Sequence, residues 1–360
     1  MVSSYHHLEH RFGGWARTYG VVCYLLTQLA RTGTILFGVS LALSALTGWD
    51  QTTIIISAGV LITLYTALGG IEAVIWTDVV QSLVLMSGAI IILVLLLAGL
   101  PEGPTQVFSL GGAAGKFSLG SFDLDFTAST FWVVFLFGLF INLSNFGIDQ
   151  SFVQRYHTAR TNQQAARSVW LGALLYLPIS LLFFFIGTSA FAYYQTHTED
   201  LNEVRQQVAE QQLAVDQLNI SNESIQRRAT LLTDEQIGDK VLPHFIVNGL
   251  PRGARGILIA AIFAAAMSSI DTSLNSSATI ILGDIYKRYF NPAASQRESM
   301  IVLYAATGLV GALGTASAVA LIGVESILDA WWILSGVFSG GLLGLFLLGI
   351  ISPQAGNRAA

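Results

Sequence analysis

Ala264-Ala-Ala-Met-Ser-Ser-Ile-Asp-Thr-Ser-Leu-Asn-Ser-Ser277 sits inside an apolar run that extends from residue 254 to 282. A run of that length is enough to cross a bilayer, which takes about 20 predominantly apolar residues in a helix. Inside lipid a polar residue is the informative event, because an ionised side chain near the bilayer centre costs about 2.5–3.5 kcal/mol on insertion scales. Here Asp271 lies among a dense set of hydroxyls. Ala265, Ser268, Ser269 and Thr272 recur at i, i+3, i+4 and i+7 and so share one helical face. Small residues let a neighbouring helix approach closely. Hydroxyls and loosened carbonyls also supply neutral oxygens suited to a weak cage for a monovalent cation, whereas a hard divalent ion needs more carboxylates. Close helix packing by serines is the structural alternative for the same run.

The rest of the chain fits that setting. Of its 360 residues 53% are hydrophobic and 11% charged, against roughly 25% charged in an ordinary soluble domain. Seven further apolar runs, at about 18–46, 52–68, 73–99, 128–147, 168–194, 300–321 and 327–351, bring the expected number of spans to eight. Strand-type alternation over ~10-residue segments is missing. An all-α polytopic membrane helix bundle follows, forming a single transmembrane domain over residues 1–360, with a long polar extracellular loop at 195–253. The glutamine-rich middle of that loop lacks proline and is compatible with a surface helix or lid.

Basic residues orient the bundle, since short cytoplasmic loops retain Lys and Arg. Arg11, Arg17, Arg155, Arg160, Arg167, Lys287, Arg288, Arg297 and Arg358 fall on one side, and the short opposite connections hold only Lys116. The N-terminus of the chain is therefore expected in the cytoplasm, with the bundle in the plasma or inner membrane. Arg31 stands alone inside the first span. A net charge of −5 with no basic stripe argues against nucleic acid as a partner. Cys23 is the single cysteine and permits no intrachain disulfide. Gly-x-Ser-x-Gly, Walker and His-Glu-x-x-His sequences are all missing, so neither an enzyme nor ATP-driven transport is indicated.

Three more clusters place polar groups within or beside spans. In 65–81 Gly69 and Gly70 predict a break, after which Thr77, Asp78 and Gln81 share a face near the cytoplasmic end. Asp78 there either meets a cation on its way to the cytoplasm or pairs with a basic loop residue. In 142–155 Asn142, Ser144 and Asn145 end an apolar helix, and their uncharged donors and acceptors suit a hydroxyl-rich solute or interhelical hydrogen bonds. In 329–341 Trp331 and Trp332 mark an interfacial belt or stack on a solute.

Four stretches carry a resemblance to the sodium/solute symporter family, which includes sodium-coupled glucose, sialic acid, proline and iodide transporters. They are Leu8-Glu-His-Arg-Phe-Gly13, Gly69-Gly-Ile-Glu-Ala-Val-Ile-Trp-Thr-Asp-Val-Val-Gln81, Asp149-Gln-Ser-Phe-Val-Gln-Arg155, and Ala264 to Ser277 followed by Gly283-Asp-Ile-Tyr-Lys-Arg288. The resemblance implies a leucine-transporter-like inverted-repeat fold with alternating access around a midplane site. The eight spans then look like the third to tenth core helices, and the chain is expected to be a fragment or shortened form lacking the first two core helices and the C-terminal ones. Such a form would not sustain transport by itself.

The resemblance also implies sodium ion binding at Ala265, Ser268 and Ser269. It suggests a second sodium site or exit path at Asp78, Asp271 and Thr272, and solute contacts at Asn142, Asn145 and Trp332. Asn145 and Trp332 depart from the gating tyrosine and the glutamine of the galactose-transporting members, which weakens a galactose-like assignment. The expected function is sodium-coupled import of a small polar organic solute, leaning to the sugar or sialic acid type. The alternatives are a solute-sensing module without net transport and a sodium-independent facilitator.

Overall fold

Two local signals set where the first spans meet. Gly48, with φ of 72°, closes one helix by donating its backbone N–H to the carbonyl of Ser44, and the Asp50 carboxylate caps the next by accepting from the backbone N–H of Thr53 at 3.1 Å. The computed structural model describes residues 3–215, 221–324 and 327–352. Arg358, assigned above to the cytoplasmic side, lies outside the described residues.

The chain runs through a short helix α1 (His6–Phe12), then α2 (Gly14–Thr47) and the long α3 (Gln51–Ala98). After α4 (Gln106–Ala113) come α5 (Phe131–Gly147), α6 (Gln150–Tyr156) and α7 (Asn162–Thr196). The polar insertion forms α8 (Thr198–Val215), α9 (Asn222–Ala229) and α10 (Asp234–His244). The last helices are α11 (Arg252–Ile280), continued by a π-helical stretch Ile281–Phe290, α12 (Gln296–Ala320) and α13 (Ile327–Ile351). Among the described residues seven segments are long and apolar enough to span a membrane, and α5 with α6, bent by 46° at their junction, makes an eighth. The described residues thus hold up to eight spans, the number expected, when the bent pair is taken as one.

Two breaks position polar groups. Gly70 has φ of 61° inside α3, a conformation that strains a side chain with a Cβ, and it divides that helix into two spans as the glycine pair predicts. The fourth span bends where its apolar helix was expected to end, because the α5 ladder finishes with Ile148 and Asp149 both donating to the carbonyl of Ser144. Asp149 then restarts the helix as the N-cap of α6, accepting from the backbone N–H of Ser151 at 2.7 Å.

Helix α11 is central and packs against α3, α2 and α12. Ala266, Ile270 and Leu274 recur every four residues and join Leu36 and Val39 of α2, Ile55 and Ile62 of α3 and Val310 of α12 in one buried cluster. Glycines set the closest approaches. A Cβ on Gly311 of α12 would overlap the Thr63 side chain of α3, and one on Gly59 of α3 would overlap Thr315 of α12. Gly311→Val should therefore destabilise the protein by about 1–3 kcal/mol through overpacking. Its thermal unfolding midpoint should fall, and an unchanged midpoint would contradict this packing.

The segment 195–253, expected as a polar loop whose middle could form a surface helix, is largely helical among its described residues and docks on the bundle. Val204, Val208, Ala209, Ala229, Leu232 and Ile237 are buried with Leu96 of α3, Tyr194 of α7 and Leu258 of α11. Its charged composition hid a sparse apolar stripe, enough for one face of each short helix. At the other end of the bundle α1 is tied down by charge. Arg17 Nη1 and Arg288 Nη2 donate to the two oxygens of Glu9 at 2.5 and 2.6 Å, and Arg17 Nε donates to buried Asp284 at 2.6 Å. The hydrogen bond from Arg17 is the main reason that the Glu9 carboxyl titrates below its usual range.

Candidate functional site

The α5–α6 break, the inner half of α2 and the start of α13 enclose a cavity of about 290 Å³. Asn142, Asn145 and Trp332, the three residues expected to meet solute, all line it. The Asn142 amide donates to the carbonyl of Gly138 at 2.8 Å, which leaves its oxygen for another donor. Trp332 lies against Phe137, with ring centroids 5.9 Å apart. Asp149 reaches the same wall and accepts from Gln28 Nε2 at 3.4 Å.

Sequence reasoning left Arg31 and Gln28 unassigned, and both line this cavity. Arg31 forms no ion pair among the described residues, and Gln28 Oε1 is buried without a hydrogen-bond partner. The available signal was the lone arginine in an otherwise apolar span, since such a charge is expensive and faces the interior or a cavity. The wall thus combines a guanidinium with carboxamides and an indole. That set matches a solute carrying a carboxylate, hydroxyls or amides, and an apolar face.

Arg31 and Trp331 also line a second cavity, of about 620 Å³, which Ala265 and Ser269 border from α11. The Ser268 hydroxyl donates to the carbonyl of Ala265 at 3.0 Å. Ala265, Ser268 and Ser269 are all partly exposed. Two of the three residues expected to hold sodium, Ala265 and Ser269, therefore sit on the wall of a space that shares Arg31 and Trp331 with the first cavity. Their donor set is neutral oxygen, which fits a monovalent cation.

Asp78, Asp271 and Thr272 are also brought together, through two residues that the sequence did not single out as partners. Arg155 Nη2 donates to Asp78 Oδ2 at 2.5 Å and to Thr272 Oγ1 at 2.7 Å, and the Tyr65 hydroxyl donates to Asp271 at 2.6 Å. Asp78 thus pairs with a basic residue, the structural alternative raised for it. Its second oxygen is buried and unpaired, as are Gln81 Oε1 and Thr66 Oγ1 on the same helix. The guanidinium pairs with Asp78 alone, while Asp271 is held by Tyr65. Acceptor oxygens are left over for a cation, but any cation at Asp78 has Arg155 as a neighbour.

Comparison with known proteins identifies the family of the chain. The model of the sodium:solute symporter family matches residues 5–360. The sodium/sialic acid symporter NanT of Aliivibrio fischeri is 32% identical over 100% of this chain and 66% of its own length. The sodium/sialic acid symporter SiaT of Proteus mirabilis is also 32% identical, over 100% of this chain and 67% of its own. A solved structure described as the substrate-bound outward-open state of a Na+-coupled sialic acid symporter with a novel Na+-site matches with a TM-score of 0.81. It is 30% identical, over 99% of this chain and 67% of that one. The chain spans about two thirds of the length of these relatives. A bundle of leucine-transporter type with broken spans around a polar centre, matched over nearly its whole length by the family model, is a multi-pass membrane protein, and the chain belongs to the sodium:solute symporter family.

Proposed function

We propose that the protein of which this chain is part couples inward sodium movement to import of a carboxylate-bearing polar solute, of the sugar or sialic acid type. The observation that carries this reading is that two cavities share Arg31 and Trp331 in their walls. One is lined by Asn142, Asn145 and Trp332, and the other is bordered by Ala265 and Ser269. Arg31 holds the solute carboxylate as a fork of two parallel donors, the asparagine amides take hydroxyl or acyl groups, and Trp332 covers an apolar face. Sodium, carried as co-substrate, binds the Ala265 carbonyl and the hydroxyls of Ser268 and Ser269. The cluster of Asp78, Asp271 and Thr272 receives a second sodium or forms its exit path.

Each sodium charge that crosses contributes about 2.3 kcal/mol per 100 mV of membrane potential. Coupling requires only that sodium favour the solute-competent state over the other. The protein sits in the plasma or inner membrane with residues 1–13 in the cytoplasm, which puts the α8–α10 layer outside. The names of the sialic acid symporters support the solute class, and the neutral oxygen set supports a monovalent ion.

Reciprocal linkage gives a direct test. In the full-length protein, sodium should raise the affinity for N-acetylneuraminate and the solute should raise that for sodium by the same factor. Ser269→Ala should reduce both factors towards one while leaving sodium-free solute binding intact. Equal linkage in the wild type and the variant would remove Ser269 from the coupling site.

A further inference from the structure

We propose that the outer layer of the protein carries a second solute site, distinct from the central cavity, in which Lys240 of α10 binds a carboxylate. A cavity of about 510 Å³ lies between α8, α10 and the outer ends of α2 and α3. Lys240 lines it and makes no hydrogen bond or ion pair among the described residues, although it is only partly exposed. Removing an ammonium from bulk water without a partner is unfavourable, and an anionic ligand supplies the missing partner. Burial already lowers the Lys240 pKa, in keeping with a cation short of counter-charge. The charge of adjacent Asp239 offsets part of that shift, but its carboxylate lines the inner cavity and accepts from the backbone N–H of Ile327 at 3.4 Å rather than pairing with the ammonium.

The rest of the wall is built for a polar solute. Gln207, Gln211 and Asn248 supply carboxamides. Asn248 Nδ2 lies 2.8 Å from Nε2 of buried His244, and His244 Nδ1 is held 2.9 Å from the Tyr194 hydroxyl. That hydroxyl donates to the carbonyl of Val241 at 3.1 Å, and Glu203 Oε2 lies 3.4 Å from the same Nε2 that meets Asn248. The Asn248 side chain is thereby positioned by a chain of buried and half-buried side chains. Glu210 is exposed on the wall and disfavours solutes with a second negative charge.

Position gives the site its role. Along α2, Gln28 and Arg31 line the central cavity, Arg31, Thr34 and Gly38 the next, and Leu41 and Ser44 this one. Residues 28–44 cover about 24 Å of helix at about 1.5 Å per residue, and these positions wind part-way round it from one cavity to the next. The outer cavity is a capture point above the central one, with cationic ends at Lys240 and Arg31. The solute class rests on the function proposed above.

Titration calorimetry of the full-length protein in nanodiscs with N-acetylneuraminate, in sodium buffer, tests the site. Two binding equivalents are expected in the wild type and in Lys240→Arg, and one in each of Lys240→Gln and Arg31→Gln. One equivalent in the wild type that survives Lys240→Gln and is lost in Arg31→Gln overturns the outer site and leaves the central reading standing. One equivalent lost in Lys240→Gln and kept in Arg31→Gln supports the outer site and overturns the central one. No binding in any of these proteins overturns both.

Discussion

Arg31→Met should weaken binding of a carboxylate-bearing solute at the central cavity by at least about 30-fold. Truncating one partner of a desolvated, hydrogen-bonded charge pair costs about 2–5 kcal/mol, and about 1.4 kcal/mol is a factor of ten. Among the described residues Arg31 has no carboxylate partner to be stranded by the change. Folding should therefore survive, and the loss should appear in affinity. Arg31→Lys keeps the charge without the planar fork and should fall between the two. Saturation binding of labelled N-acetylneuraminate measures the series at the high-affinity site. Equal affinity in Arg31→Met and the wild type would mean that the guanidinium does not meet the solute.

The second large effect concerns Asp78. Asp78→Ala leaves Arg155 with only the Thr272 hydroxyl as its side-chain acceptor. The Arg155 side chain is 37% exposed, so water softens the penalty to about 1.5–3 kcal/mol, the range for hydrogen bonds to charged groups. Removing the cation as well should recover most of that loss, since an uncompensated charge is the main cost of breaking such a pair. Thermal unfolding should thus rank Asp78→Ala lowest, with Asp78→Ala/Arg155→Met close to the wild type. Sodium stimulation of uptake should remain impaired in the double variant, because the Asp78 oxygens are gone. Full recovery of sodium dependence with stability would make the pair purely structural.

The sequence made the spans legible because hydropathy over about 20 residues is a local property. Gly70 was legible for a similar reason: a glycine pair within an apolar run signals a break, and its φ of 61° bears that out. The face shared by Ala265, Ser268, Ser269 and Thr272 follows from helical periodicity alone. Periodicity cannot find a partner on another helix. Arg155 lies 77 positions from Asp78 and 117 from Thr272, and neither spacing leaves a trace in the pattern. The bend after Gly147 depends on a carbonyl shared by two backbone donors. The α8–α10 layer was obscured because its buried positions are spread thinly among charged ones, so mean hydropathy reads as loop while each short helix still has one apolar side. Arg31 was visible as an anomaly in an apolar span, and only the fold gave it a cavity.

The central claim is coupling of solute movement to sodium, and solute accumulation in proteoliposomes of the full-length protein under an inward sodium gradient tests it most directly. A transient internal N-acetylneuraminate concentration above the external one is expected, rising further when the interior is made negative, with no accumulation when potassium replaces sodium. Equilibration to equal concentrations whatever the gradient, or binding without any internal solute, would contradict it.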